Sequence, residues 1–252
     1  MDLNAWRKHI AVVKISIVVP AFNEERLLGQ SLIHIKASAR AFEPLGWETE
    51  LIVCDNNSTD KTAQIAREAG ATVVFESVNQ IARARNCGAA AATGDWLIFV
   101  DADSHPSAEL FADVAAQITS GKCLAGGATV KLDAPHPTAR IVAGIWCAIS
   151  RVFKLMAGSF IFCETAAFRE IGGFNEKMFA AEELDLSQRL KKLARQKGRR
   201  LVILSSHPLL TSARKLHLYS FREHLRVLLG VTLNPRTLTQ REACHLWYDG
   251  RR

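Results

Sequence analysis

Short apolar runs alternate with amphipathic stretches along the first hundred residues. The runs are rich in β-branched residues and end in polar ones, which is typical of buried parallel strands; they cover residues 14–20, 50–55, 72–76 and 96–101. The stretches between them have helical periodicity, with expected N-caps at Asn23 and Ser58, and cover residues 24–40, 59–69 and 81–92. This βαβαβαβ order predicts parallel strands joined by right-handed crossovers.

Past residue 104 the alternation is less regular. Helices are predicted over 107–119, about 137–156 and 182–197, and strands over 124–132, 159–163 and 201–205. We find no internal repeat and no low-complexity linker. The expectation is a single α/β domain over residues 1–252, with a Rossmann-like, mostly parallel twisted sheet flanked by helices.

Composition narrows the class of protein. No apolar stretch approaches the roughly 20 residues that span a bilayer, and the amino terminus lacks the pattern of a signal peptide. The six cysteines are widely spaced with no CxxC pair, so we expect reduced core thiols and a cytoplasmic protein.

Residues 188–252 hold 15 Lys/Arg against 3 Asp/Glu, whereas the first 187 residues hold 17 against 22. A basic region of this kind suits an anionic membrane or phosphates, and without a nucleic-acid-binding motif we expect no nucleic acid partner.

Three polar segments follow predicted strands, at residues 20–25, 55–60 and 101–103. Ligands of open parallel sheets bind outside the carboxyl ends of the strands, so these segments mark the expected site. The first of them, PAFNEE, contains neither GxGxxG nor GxxxxGK[ST]. A dinucleotide-binding or P-loop protein is therefore disfavoured.

Asp101 and Asp103 are alternate residues at the end of an apolar strand, so both carboxylates can point to one spot. Hard oxygen donors there suit Mg²⁺ or Mn²⁺, which takes further ligands from a substrate diphosphate. The alternative is that one aspartate caps the helix near Ser107 and the other is solvated.

Asp55, which closes the second strand, can accept hydrogen bonds from a base or a ribose hydroxyl. Arg83 and Arg85 near a helix start can hold phosphate or a base carbonyl, with a solvated helix surface as the alternative.

Five motifs in order carry a resemblance: PAFNEE, DNNSTD, ARARNCGAAAATGDWLIFVDAD, GSFIFCETAAFREIGGFNE and AEELDLSQRL. In sequence and spacing, over roughly residues 14–193, the chain resembles the family 2 glycosyltransferases with a GT-A fold. The resemblance implies metal-dependent, inverting transfer of a sugar from a nucleoside diphosphate sugar to an acceptor hydroxyl. It divides the chain into a nucleotide-sugar half (14–104), an acceptor half (105–205) and a basic extension (206–252).

The resemblance also implies roles for single residues. The nucleotide is lined by Pro20, Ala21, Phe22 and Glu24, contacted by Asp55 and held by Arg83. Asp101 serves the ribose and the metal-bound diphosphate, and Asp103 is the more direct metal ligand.

The catalytic base of the family lies in a Glu-Asp pair that matches Glu182 and Glu183, so this chain departs from the pattern at its second position. The base is therefore Glu183, Glu182 or Asp185, unless all three are solvated charges at a helix start. Relatives often add a histidine as a third metal ligand, which predicts His207, with His217 as its competitor.

Two other functions compete with glycosyl transfer. A nucleotidyltransferase normally has a glycine-rich basic loop after the first strand, which is absent here, and a non-catalytic binding module is expected to lack the metal and base carboxylates. We further predict that residues 188–252 cover the acceptor side and contact an anionic membrane, the helix near 137–156 sharing that surface. The acceptor is then lipid-linked or part of a cell-envelope glycan. The alternative is an ordinary basic exterior.

Overall fold

The computed structural model describes residues 12–133, 137–212 and 235–244. In these ranges eight strands form one sheet: β1 (Lys14–Ala21), β2 (Glu48–Asp55), β3 (Thr72–Phe75), β4 (Trp96–Val100), β5 (Ser104–His105), β6 (Cys123–Leu132), β7 (Phe160–Glu164) and β8 (Arg200–Thr211). The α-helices are α1 (Leu28–Ala39), α2 (Thr62–Glu68), α3 (Ile81–Ala91), α4 (Ala108–Thr119), α5 (Pro137–Phe153), α6 (Thr165–Glu170) and α7 (Glu182–Gln196). Short 3-10 turns lie at Arg40–Leu45, Pro235–Thr239 and Glu242–Cys244.

The strand order is β3-β2-β1-β4-β7-β6-β8-β5, and the sheet is mixed. The first four strands are mutually parallel, as the sequence predicts. β7 lies antiparallel between β4 and β6, and β5 is antiparallel to β8. Together with the β6–β8 pair, four of the seven pairings are parallel.

Helices cover both faces of the sheet and bury two apolar layers. One layer packs α1, α2 and α4 against the sheet, with Leu32, Phe42 and Phe111 at its centre. The other packs α3, α6 and α7, with Phe99 and Leu190 among its buried residues. Because both faces are covered, the central strands read as continuous apolar runs. The described residues form a single α/β domain.

Two predicted helix caps are wrong. α1 begins at Leu28 and α2 at Thr62, several residues after Asn23 and Ser58. The Asn23 N–H donates to Ser58 Oγ at 3.0 Å, and Asn23 Oδ1 accepts from the Thr59 N–H at 2.8 Å. Asn23 adopts φ 51, a left-handed conformation that asparagine tolerates well. These side chains join two loops to each other instead of capping helices.

Gly88 allows α3 to pack unusually close to β1. A Cβ atom at this position would lie 2.4 Å from Val18 Cγ1, so a larger residue would push the helix away from the sheet. The close approach sets the depth of Arg85, one helical turn earlier on α3.

The cysteines agree in part with the expected core thiols, since four of the six are buried and Cys87 and Cys147 are partly exposed. All six cysteines are free, and burial raises the pKa of the Cys123 thiol to about 11. Across the described ranges, no helix combines the length and apolar character needed to cross a bilayer.

Candidate active site

The loops after β1 and β2 lie side by side at the carboxyl edge of the sheet. Parallel register places Ala21 beside Asp55, and the Asn56 N–H donates to the Ala21 carbonyl at 2.8 Å. The Glu24 N–H donates to Thr62 Oγ1 at 2.8 Å, and Glu24 is buried. The structure therefore brings the predicted nucleotide segment, which runs from Pro20 to Glu24, next to Asp55.

Asp55 is held in place by its own loop. The side chain is buried, and its Oδ1 accepts the Ser58 N–H at 3.0 Å. The neighbouring Asn56 donates to the carbonyls of Glu76 and Val78 at 3.2 and 2.6 Å. Sequence reasoning gave Asn56 no role, although an asparagine directly after a strand-end aspartate is a residue type that often bonds to the backbone of its loop.

Arg85 is the centre of the site. It lies on α3, is 1% exposed, and its Nη1 donates to Glu182 Oε1 at 2.7 Å. Its Nη2 donates to Asp101 Oδ1 at 2.9 Å and to the Gly158 carbonyl at 2.8 Å. The guanidinium carbon lies 5.2 Å from the centre of the Phe174 ring. One buried cation thus joins the end of β4 to the start of α7.

Gly158 leaves room for this arrangement. A Cβ at this position would lie 3.2 Å from Arg85 Nη2 and 3.6 Å from the carboxyl carbon of Glu183. The same two groups therefore face one glycine, and sequence reasoning did not assign it to the site.

Glu183 is half-buried beside this cluster. Burial raises the pKa of its carboxyl to about 8, and the charges of Glu182 and Asp101 raise it while Arg85 lowers it. A carboxyl in this range exchanges its proton near neutral pH, which suits a general base. Ala181, directly before α7, adopts φ 59, an uncommon conformation for alanine.

Asp101 and Asp103 follow β4 as predicted. The Asp101 N–H donates to the Ser159 carbonyl at 3.2 Å, and the Asp103 carbonyl accepts from the Ser212 N–H at 3.2 Å. Neither caps α4, because Ser107 Oγ accepts the Leu110 N–H at 3.2 Å. In the part of the chain that the structure describes, no group of three or more His, Cys, Asp or Glu residues could hold a metal ion.

Three predicted residues lie in contacts outside the Arg85 cluster. Arg83, partly exposed, pairs with Glu76 and with Glu176. Asp185 pairs with Arg189 on the same helix at 2.6 Å. His207 Nδ1 lies 2.9 Å from Asp113 Oδ2 on α4. His217 is outside the described residues.

The segment 235–244 contacts the loop before α7. The Phe179 N–H donates to the Leu238 carbonyl at 2.7 Å, and Cys244 is buried. Burial and the charge of Glu182 raise the pKa of the Cys244 thiol, so this segment lies near the start of α7.

The loop that precedes this contact is fastened to α3. Asn86 Oδ1 accepts the Phe174 N–H at 2.9 Å, and its Nδ2 donates to the Phe174 carbonyl at 3.0 Å. Gln80 donates to the carbonyls of Glu176 and Met178. Asn86 and Gln80 are structural residues of the site that the motif search did not single out.

Comparison with protein families matches residues 16–155 to the family described as glycosyl transferase family 2. An uncharacterized glycosyltransferase of Mycobacterium tuberculosis is 34% identical over 113 residues, which cover 45% of this chain and 47% of that protein. A TPR repeat-containing protein of Synechococcus elongatus is 33% identical over 116 residues, which cover 46% of this chain and 27% of that protein. The match therefore spans half or less of the length of these relatives.

Solved structures share the fold at low sequence identity. A mannosyltransferase of Pyrobaculum calidifontis, in complex with GDP-Man and Mn²⁺, superposes with a TM-score of 0.64 at 17% identity, covering 96% of this chain and 74% of that one. TarS residues 1–349 of S. aureus superpose with a TM-score of 0.61 at 19% identity, covering 95% and 73%. At this identity the likeness supports the GT-A architecture alone.

Proposed function

Because the chain belongs to glycosyl transferase family 2, we propose that it transfers a sugar from a nucleoside diphosphate sugar to an acceptor hydroxyl, with inversion at the anomeric carbon. The observation that carries the proposal is the Arg85 cluster. In this cluster Arg85 joins the strand-end aspartate Asp101 to Glu182, the first residue of α7, next to the loops after β1 and β2. Donor-side and acceptor-side groups thus meet at one edge of the sheet.

The donor nucleotide is proposed to lie along residues 20–24, with Asp55 receiving hydrogen bonds from the base or ribose. Arg83 is partly exposed, and one of its two partners, Glu176, is an exposed carboxylate, so Arg83 can exchange this partner for a phosphate. Arg85 has both terminal nitrogens engaged and is almost fully buried. Its proposed part in donor binding is therefore to orient Asp101.

Asp101 and Asp103 are proposed to hold Mg²⁺ or Mn²⁺. Two carboxylates on one strand end fit such an ion, because it prefers oxygen ligands and keeps sites open for waters and a diphosphate. When bound, the ion neutralises negative charge on the leaving diphosphate. His207 stays a predicted third ligand, and since Nδ1 is paired with Asp113, it would have to bind through Nε2.

Glu183 is the proposed catalytic base. Glu182 is bonded to Arg85, and Asp185 is paired with Arg189, so both are committed to structural contacts. Glu183 removes the proton of the acceptor hydroxyl as its oxygen attacks the sugar, and one displacement inverts the anomeric centre. A pKa near 8 makes this carboxylate a stronger base than an exposed glutamate.

The acceptor is proposed to be lipid-linked or part of a cell-envelope glycan, reached from the cytoplasmic side with peripheral contact to an anionic membrane. The support is the excess of Lys and Arg in residues 188–252, 15 against 3 acidic residues. The hydrogen bond between Phe179 and Leu238 also supports this proposal, because it brings part of this region next to the loop before α7.

Hydrolysis of nucleotide sugars without acceptor tests the central proposal. A panel of uridine and guanosine sugars, each with and without Mn²⁺, should show one donor that is hydrolysed slowly and only with the ion. Asp103→Ala should abolish the reaction. The matched control is Asp95→Ala at the opposite end of β4, where the carboxylate accepts the Lys14 N–H at 2.9 Å, and this variant should retain it. Donor binding without any hydrolysis or transfer would instead indicate a binding module.

A further inference from the structure

One face of α5 is apolar and has no covering element among the described residues. Ile145, Ile149 and Val152 recur at i, i+4 and i+7 and therefore share that face. They are 57%, 40% and 73% exposed, and Phe153 beside them is 61% exposed. Single exposed apolar residues are ordinary on protein surfaces, but a cluster on one helix indicates a contact surface.

The opposite face of α5 is the one that packs on the domain. The Cys147 thiol donates to the Val130 carbonyl of β6 at 3.4 Å, and Ser150 is buried. The exposed apolar residues therefore do not belong to the side of α5 that packs on the domain. α5 has an inner face on β6 and a second apolar face toward solvent.

The charge around the exposed face has one sign. No Asp or Glu occurs between Asp133 and Glu164, while Arg140, Arg151 and Lys154 lie in that interval. Arg151 and Lys154 are exposed, and the Lys191 ammonium reaches the end of the helix, where it donates to the Phe153 carbonyl at 2.7 Å. Apolar side chains bordered by cations match the chemistry of an anionic lipid surface.

We propose that the exposed face of α5 (Ile145, Ile149, Val152 and Phe153, bordered by Arg151 and Lys154) docks on an anionic membrane and holds the catalytic edge of the domain at the lipid headgroups. The side chains of Val152 and Phe153 enter the headgroup layer, and the two cations bind lipid phosphates. The acceptor is then a hydroxyl carried by a membrane-anchored molecule, a statement that rests on the proposed glycosyl transfer.

The end of α5 is rigidly connected to the catalytic carboxylates. The Met156 N–H donates to Ser187 Oγ on α7 at 2.9 Å, and Ser187 Oγ donates to the Glu183 carbonyl at 2.7 Å. Gly158, two residues further along, bonds to Arg85. Docking through α5 therefore fixes the position of Glu183 relative to the membrane surface.

Two other occupants of this face fit the charges less well. A symmetric dimer through α5 would add Arg151 and Lys154 of both copies to one interface without a carboxylate from this helix to pair with them, and such like charges disfavour association. Residues 213–234, which lie outside the described ranges, contain four Lys/Arg and one Glu and so carry the same sign. Of these three occupants, the anionic membrane is the one whose charge is opposite to that of Arg151 and Lys154.

Vesicle sedimentation of the full chain tests the docking, with vesicles of phosphatidylcholine alone or with about one quarter phosphatidylglycerol. Binding should require phosphatidylglycerol and weaken between about 0.05 M and about 0.5 M salt. Arg151→Gln with Lys154→Gln should weaken binding about thirtyfold, from about 1 kcal/mol per cation. Val152→Ser with Phe153→Ser should weaken it at least about tenfold. The matched control is Ile33→Ser with Lys36→Gln on α1, where Ile33 is 63% exposed, and it should bind like the wild type.

Each contrary result overturns the proposal in a recognisable way. If the wild type binds neutral and anionic vesicles equally, or if both α5 variants bind anionic vesicles as tightly as the wild type, the proposed lipid contact is wrong. A serine variant that keeps vesicle binding but has a lower melting temperature shows that residues of this chain cover the face. If the wild type sediments as a dimer and the serine variant as a monomer, a second copy of the chain covers the exposed face of α5. Vesicle binding is measured without nucleotide sugar and hydrolysis without vesicles, so failure of one does not obscure the other.

Discussion

Replacing Glu183 with Gln should separate the stability of the domain from its chemistry. The folded state raises the pKa of this carboxyl from 4.5 to about 8, mainly by burial and next by the charge of Glu182. The folded protein therefore holds a proton that the unfolded chain releases between these pH values. Stability from this group is fully present below pH 4.5 and is lost as pH rises through about 8.

The magnitude follows from the same two pKa values. One pH unit between them corresponds to about 1.4 kcal/mol, so the loss has an upper limit of about 5 kcal/mol. Glutamine does not ionise, and it has nearly the same shape. The Glu183→Gln variant should therefore lose this pH dependence and be more stable than the wild type above pH 8.

Urea unfolding of metal-free protein at intervals from pH 5 to pH 9 measures the effect, since no step of the assay requires turnover. Asp185→Asn is the matched control, because its carboxylate is paired with Arg189 on the surface of the same helix. It should retain both the pH dependence and the activity, whereas Glu183→Gln should bind donor and not transfer. An identical slope of unfolding free energy against pH in the wild type and Glu183→Gln would refute the protonated, buried state of this carboxyl.

Three further substitutions test the proposed metal site and the Arg85 cluster. Asp103→Ala should abolish Mn²⁺-dependent binding of nucleotide sugar in a thermal-shift assay, while the melting temperature without metal stays within a few degrees of the wild type. If nucleotide-sugar binding still depends on Mn²⁺ as in the wild type, Asp103 is not a metal ligand. Arg85→Met should cost about 3–5 kcal/mol in urea unfolding, because Glu182 and Asp101 lose their shared cation, and a loss below about 1 kcal/mol would contradict the bridge. Gly158→Ala should lower the turnover number at least about tenfold with a small change in stability, since its methyl group would lie 3.2 Å from Arg85 Nη2 and shift the guanidinium slightly. Wild-type turnover would show that this contact is not required.

The first four strands and their direction were predictable from the sequence. Parallel strands buried on both faces carry apolar runs whose ends are marked by polar residues, so a local pattern specifies both the strand and the edge where Asp55 and Asp101 lie. The direction of β7 was not predictable, because an apolar run between two buried faces looks the same in either orientation. Cap positions at Asn23 and Ser58 were wrong, since side chains that suit a cap also bond to a neighbouring loop, and only packing decides between these partners.

The tertiary structure distinguishes the three acidic residues at the start of α7, each of which the sequence offers as a candidate base. Sequence leaves Glu182, Glu183 and Asp185 equivalent, as anions at a helix start. In the folded chain Glu182 meets Arg85, which is 97 residues away in sequence, and Asp185 meets Arg189 on its own helix. Glu183 is left beside Gly158, where burial and like charge raise its pKa. Periodicity determines which element a residue occupies, but burial and charged neighbours from distant parts of the chain determine what its carboxyl group does.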